Sequence, residues 1–516
     1  MAARNSSRLA PGTQRTCWTR RDALSALLAL PALGLAGCGR GSDGMGAMMR
    51  SSASTPPLAS PPPPVAAPTL PVLPLDDGLL DTNGVRNFQL AVRSGTTGWF
   101  SGVATPTLGY NGALLGPALR LRKGEPTQIT VNNTLAEPTT VHWHGLRVPA
   151  DMDGGPHQLI APGASWLAAF TVANDASTCW LHPHPHGNTG RQVALGLAGL
   201  LPVEDPARPA TGVPANWGVD DMALVLQDKR FTAAGQIDYA LTDTDRQLGY
   251  LGDRLLVNGV FGPQWTAPRQ WVRLRLLNGC NARALTLRLG NGVPFAQIAN
   301  EGGWLAQPVT MSSITLHPAQ RAEVMIDLAA AAFDSEVALL ASSPAGGVMG
   351  ASATPEVTAL RLRAALPATT TAVRALPAAL PAPTPVVAPA GARTRGISLD
   401  GGMMRAPFTL NGQLFDMARI DFTAPAGAVE VWRFTNHTMM THPMHVHGVR
   451  MSLLATGGSG PTAAEQGLRD TVAVGSMQTV SMAVALPASA QPSPLMLHCH
   501  NLEHEDAGMM MQFNVA

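Results

Sequence analysis

The amino-acid sequence predicts an all-β chain of three consecutive antiparallel β-sandwiches, and three observations carry that prediction. The first is composition: 516 residues exceed what one core usually supports, and 52 Gly with 44 Pro favour short strands and turns over long helices. The second is a weak internal repeat. A period-two stretch ending in Asn recurs at 127–133, 271–278 and 429–436, the alternation of a half-buried strand. The third is a matched tetrapeptide nine residues beyond Asn133, Asn278 and Asn436. It reads His142-Trp143-His144-Gly145, Leu287-Arg288-Leu289-Gly290 and His445-Val446-His447-Gly448. A further alternating stretch follows in each copy, at 165–172, 321–328 and 479–486.

Along the chain, residues 1–38 read as a targeting signal. Thr19-Arg20-Arg21-Asp22-Ala23-Leu24 resembles a twin-arginine export motif, and the apolar run Ala23 to Gly37 is too short for a membrane span. The run ends in Leu35-Ala36-Gly37-Cys38, which has the form of a lipobox. Either Cys38 is acylated and ties the protein to a membrane, or the signal is cleaved and the cysteine is incidental. Export of a folded protein to the periplasm is the expectation. Residues 39–76 are Ser-, Ala- and Pro-rich, including Pro61 to Pro64, and are expected as an extended tether. The sandwiches then occupy 77–206, 207–365 and 395–516, with a Pro/Ala-rich linker at 366–394 before the last.

The net charge of +1 offers no basic face for phosphates, which excludes a nucleic-acid partner. Of five cysteines, Cys17 lies in the leader, Cys38 in the lipobox and Cys499 in a ligand motif. Cys179 and Cys280 are left either to pair or to stay as buried free thiols.

The chemistry concentrates in His498-Cys499-His500-Asn501-Leu502-Glu503-His504 and the following Met509. On a strand, His498 and His500 face one way and Cys499 the other. A thiolate with imidazole and thioether is a blue copper ligand set, and two imidazoles on the reverse face can hold a separate metal. Cys499 is covalently joined to ligands of both, which makes it a short electron path. Four His-x-His pairs occur, His142/His144, His182/His184, His445/His447 and His498/His500, each presenting two imidazoles on one face. Together these eight suit a three-copper cluster with positions open to dioxygen. Of fourteen histidines only His317 lies between 187 and 436, so the metal work belongs to the two ends of the chain, which must meet in space. His442, three residues before His445, completes a trigonal site with Cys499 and His504, and Met509, Met510 and Met511 compete for its axial position. Surface or core roles are expected for His157, His186, His317 and His437.

The motifs HWHG, CWLHPHPHG, HPMHVHG and HCHNLEHEDAGMM resemble those of three-domain bacterial multicopper oxidases, over roughly residues 77 to 516. Among these the chain looks most like the copper efflux oxidases, cuprous oxidases with laccase activity. The resemblance implies cupredoxin-like Greek-key sandwiches and four copper ions. It makes His442, Cys499, His504 and Met509 the type 1 ligands, and His142 and His445 the type 2 ligands. His144, His182, His184, His447, His498 and His500 become the type 3 ligands. It also implies that Asp153 and Glu505 relay protons as O2 is reduced to water. Otherwise Asp153 is a turn residue before Gly154-Gly155-Pro156 and Glu505 a solvated loop charge.

The reductant implied is copper(I), in copper tolerance, or a phenol. The efflux oxidases carry a Met-rich insert over the type 1 site, whereas this chain has the Met-free 366–393 stretch there, and Thr438 stands in the slot of a family aspartate. Met440 matches the family, Met349 is a second soft donor, and Met45, Met48, Met49, Met403 and Met404 form further clusters that either collect copper(I) or fill space. Two other classes are disfavoured. Cell-division proteins of this fold lack the copper ligands, and copper nitrite reductases have two domains and no His-Cys-His bridge.

Overall fold

Each repeated strand lies inside a sheet, with a parallel neighbour on one side and an antiparallel neighbour on the other. In the computed structural model, which describes residues 56–58, 67–344, 353–402 and 407–516, Pro126–Asn133 runs parallel to Arg86–Thr97 and antiparallel to Ser165–Thr171. Trp271–Asn278 sits likewise between Asp221–Lys229 and Arg321–Asp327. Val429–Asn436 sits between Thr394–Asp400 and Thr479–Ala485. The sheets are therefore mixed, where the sequence predicts antiparallel ones. Alternation marks which face is buried but carries no strand direction, and long crossovers such as the one from Thr97 to Pro126 permit parallel pairing.

Six sheets make three sandwiches in chain order, the cupredoxin-like all-β architecture that the resemblance implies. Among the described residues, helix is confined to short segments such as Thr189–Ala194, Asp243–Leu248 and Leu502–Asp506. In the first sandwich the second sheet pairs His142–His144 with Ser177–His182, setting His142 opposite His182. In the third it pairs His442–Val446 with Leu495–Cys499, setting His445 opposite His498 and Met444 opposite Cys499. The middle sandwich fills the same slot with Leu287 and Leu289, which join its apolar core. Replacing imidazole by leucine there turns a ligand-bearing strand into a packing strand.

Parts of the predicted tether and linker are packed. Leu58 and Leu70 are buried in the middle core, Leu73 is buried beside it, and Leu75–Asp76 pairs with Ala118–Leu119. Between the middle and third sandwiches, Leu380 and Val386 are buried in apolar clusters. Leucine and valine spaced through Pro/Ala-rich sequence supply apolar surface that a composition average hides. Cys179 and Cys280 are free buried thiols in separate cores. The expectations for the twin-arginine motif, Cys38, Met45, Met48, Met49, Met349, Met403 and Met404 concern positions outside the described residues.

Leu276 is buried at the centre of the middle core. Leu276→Ala is expected to cost about 2–5 kcal/mol through lost contacts and a residual cavity. Calorimetry of the metal-free protein checks this, and an unchanged unfolding temperature would contradict the packing described.

Candidate metal centre

The four His-x-His pairs converge from the first and third sandwiches onto one buried space. All eight rings are buried. Each pair is split between neighbouring positions, and none closes on a single point. His142 Nε2 faces His445 Nε2 at 3.4 Å. His144 Nδ1, His182 Nε2 and His500 Nε2 form a chain with gaps of 3.3 and 3.4 Å. His184 Nε2 and His447 Nε2 face His498 Nε2 at 3.2 and 3.0 Å.

The outward nitrogens fix the inward ones. His142 Nδ1–H donates to Asp153 O at 2.9 Å, His445 Nδ1–H to Asp470 O at 2.8 Å and His182 Nδ1–H to Pro183 O at 2.8 Å. In neutral imidazole one nitrogen holds the proton and the other a lone pair. Burial holds His142, His144, His182, His184, His445, His447 and His500 below the usual imidazole range, so these rings stay neutral. His142 and His445 thus aim lone pairs at each other across 3.4 Å. Such an arrangement repels unless a cation sits between, and the donor set fits copper.

The second ligand set lies on the other face of the same strand. Cys499 Sγ is 3.5 Å from His442 Nδ1 and 3.9 Å from His504 Nδ1, and all three residues are buried. The ring tautomers are again set from outside, by His442 Nε2–H to Thr438 Oγ1 and His504 Nε2–H to Gln247 O, both 2.9 Å. Burial pushes the Cys499 thiol well up, so the thiolate form needs a cation beside it. Strand pairing separates the three methionines. Met510 lies opposite His498, on the imidazole face, and Met511 lies opposite Leu497, one step below Cys499. Met509 O accepts the Cys499 N–H at 3.1 Å, and the buried side chains of Met509 and Met511 both share the core with Cys499.

Asp153 is both a turn residue and a site residue. It follows the turn Ala150–Met152 and precedes Gly154, where φ is +78° and an added Cβ would lie 1.7 Å from Val141 O. Its Oδ2 accepts from His447 Nδ1 at 2.5 Å while its backbone carbonyl holds His142, and burial raises its carboxyl to about 6. Glu505 is buried, with carboxylate oxygens 3.1 Å from His184 Nδ1 and from His498 Nδ1. It is no solvated loop charge.

The remaining histidines stand apart from the cluster. His157 contacts Gln512, His186 packs on Phe415, His437 pairs with Asp400, and His317 is in the middle sandwich. Sequence reasoning missed Asp470, Arg321 and Gln247. Asp470 lies in a plain Leu-Arg-Asp-Thr stretch with no ligand-like spacing, and Gln247 acts through its backbone carbonyl. A 240 Å³ opening lined by Asp243, Arg246, Gln247, Pro407, Phe408, Ala507 and His504 leads to the Cys499 set. A larger cavity of 390 Å³ beside Arg120 and Arg275 shares no residue with either ligand set.

The metal-free protein is expected to lose stability as pH falls below about 6.5, the ordinary imidazole value, toward about 3, where His182 titrates. In that window the unfolded chain takes up protons that the buried rings refuse, so unfolding is favoured. Thermal unfolding followed between pH 7 and pH 4 checks this; a flat profile would contradict the burial described.

Two different family models, each described as multicopper oxidase, match residues 391–516 and 91–208. The multicopper oxidase mco of Staphylococcus haemolyticus is 37% identical, over 84% of this chain and 90% of its own. The cell division protein FtsP of Escherichia coli is 32% identical, over 86% of this chain and 92% of its own. The solved structure of the laccase-like multicopper oxidase CueO from Ochrobactrum sp. is 35% identical, superposes with a TM-score of 0.78, and covers 87% of this chain and 100% of that one.

Proposed function

The chain belongs to the multicopper oxidase family, a family of copper-dependent oxidoreductases, and from that premise we propose that it couples four one-electron oxidations of a reductant to reduction of O2 to water. Copper would supply the one-electron chemistry: His442, Cys499, His504 and Met509 would hold a type 1 ion, His142 and His445 a type 2 ion, and His144, His182, His184, His447, His498 and His500 the type 3 pair. The single observation carrying this reading is Cys499, whose sulfur faces one ligand set while its chain neighbours His498 and His500 belong to the other. With both ligand sets loaded, the Cys499 thiolate and its peptide units to His498 and His500 would join them covalently.

This chain's residues do the rest. His504 lines the 240 Å³ opening, so the reductant docks there and delivers electrons at the ring edge. Asp153, with a carboxyl near neutrality and hydrogen-bonded to His447, is suited to pass protons, and Glu505 lies against His184 and His498. Burial of all eight rings keeps bulk water from the cluster. Copper(I) oxidation in copper tolerance, after twin-arginine export to the periplasm with Cys38 as a possible lipid anchor, is the physiological reading. One observation favours the laccase-like alternative: Thr438, in the slot of a family aspartate, is buried and its hydroxyl is engaged by His442, so that slot offers a substrate ion no carboxylate. The FtsP likeness does not favour a structural role, because the present chain retains both ligand sets.

Oxygen uptake with copper(I) is expected to exceed uptake with a bulky phenol; the reverse order selects the laccase reading. Cys499→Ser is expected to abolish the blue absorption and cut uptake with either reductant by more than about a hundredfold, beyond the loss of a supporting residue. Uptake that survived the substitution would sink the oxidase assignment. Asp153→Asn is expected to slow reoxidation of the reduced enzyme by about a hundredfold while leaving bleaching of the blue band by reductant unchanged, read by stopped-flow absorption.

A further inference from the structure

Seven of the eight clustered rings turn Nε2 inward; His144 turns Nδ1 inward. Its Nε2 points the other way, 3.1 Å from Asp470 Oδ1 and 3.1 Å from Thr471 Oγ1. Asp470 in turn is clamped by Arg321, whose two terminal nitrogens donate to Oδ1 and Oδ2 at 2.7 and 2.6 Å. Arg321 is itself fixed, its Nε donating to Thr178 O at 2.9 Å and Nη1 to Ala319 O at 3.1 Å. Both ends of this chain are buried, and a bidentate arginine–carboxylate pair is the stiffest such contact side chains make.

Two further observations single this network out. First, Asp470 mirrors Asp153. Asp153 holds His142 by its carbonyl and His447 by its carboxylate, while Asp470 holds His445 by its carbonyl and His144 by its carboxylate. Each aspartate grips one ring of its own sandwich and one from the opposite end of the chain, but among the described residues only Asp470 has an arginine on it. Second, the glycine of the first His-x-His-Gly motif is what admits the pair. Gly145 has φ +92°, and a Cβ there would lie 2.6 Å from both Arg321 Nη2 and Asp470 Oδ2.

We propose that Arg321, from the sandwich that supplies none of the clustered histidines, is a positioning residue for the cluster: by clamping Asp470 it holds the proton of His144 on Nε2 and the Nδ1 lone pair inward. The middle sandwich thereby takes part in building the metal centre. Ring orientation and tautomer of a ligating histidine are set by the partner of its other nitrogen, and loss of such partners weakens metal binding ten- to a hundredfold. The proposal rests on the copper reading above for its consequence, though not for its geometry.

The test compares wild type with Arg321→Met, Asp470→Asn and Arg321→Lys, and with Arg273→Met as a control. Arg273 is another buried arginine of the middle sandwich, bonded to Asp221 and Glu323 and touching no clustered ring. Under a graded chelator challenge of the copper-loaded protein, Arg321→Met and Asp470→Asn are expected to lose copper from the cluster at ten- to a hundredfold lower chelator, with the blue band at Cys499 retained. Arg321→Lys, which keeps the buried charge opposite Asp470, is expected to fall between, and Arg273→Met to match wild type. Equal retention in all variants, or parallel loss of the blue band, overturns the proposal, as does the same loss in Arg273→Met. Nitrogen-15 NMR of metal-free protein reads the geometry independently of copper. The His144 proton is expected on Nε2 in wild type and redistributed in Arg321→Met and Asp470→Asn; an unchanged tautomer overturns the proposal, whereas a wild type that takes up no copper overturns the functional reading alone.

Discussion

Two lone pairs aimed at each other across 3.4 Å, from His142 and His445, are the constraint on which the rest of the structure depends. They come from residues about three hundred positions apart, one in each end sandwich, and each is forced inward by a carbonyl that takes the proton on the far side. Without a cation between them the arrangement costs free energy. With one, the same buried, neutral rings become a pre-organised ligand set. The closure of the first sandwich on the third is in this sense a metal-binding act as well as a packing act.

The three sandwiches divide the work. The first contributes two His-x-His pairs and Asp153. The third contributes two more pairs, Cys499, His442, His504 and Asp470. The middle one has Leu287 and Leu289 in the corresponding slot, yet it touches both ligand sets from outside. Gln247 caps His504, and Arg321 holds Asp470. Such contacts reach the ligands only through the second nitrogen of a ring, and that is enough to decide which nitrogen faces the metal.

Much of this was legible in the sequence because ligand chemistry leaves period-two marks. His498, Cys499 and His500 on one strand dictate two faces, and the stretch between residues 187 and 436, with His317 as its one histidine, points the ligands to the chain ends. The repeat at 127–133, 271–278 and 429–436 located the strand shared by three sheets, but alternation says nothing of direction, and the parallel neighbours were not legible. Which ring faces which was equally hidden, since i and i+2 share a face without having to share an ion. Asp470 and Arg321 were invisible for a different reason. One carboxylate among 34 acidic residues has no distinguishing neighbours, and its partner lies 149 residues away in another sandwich. Leu58, Leu70 and Leu380 were masked by the proline and alanine around them.

The most direct measurement is anomalous X-ray scattering at the copper edge from crystals of the metal-loaded protein. The account predicts one strong peak beside Cys499 Sγ, His442 Nδ1 and His504 Nδ1, and three more within the space enclosed by the eight inward-facing nitrogens. A map with no peak between His142 Nε2 and His445 Nε2, or with none at Cys499, would contradict it.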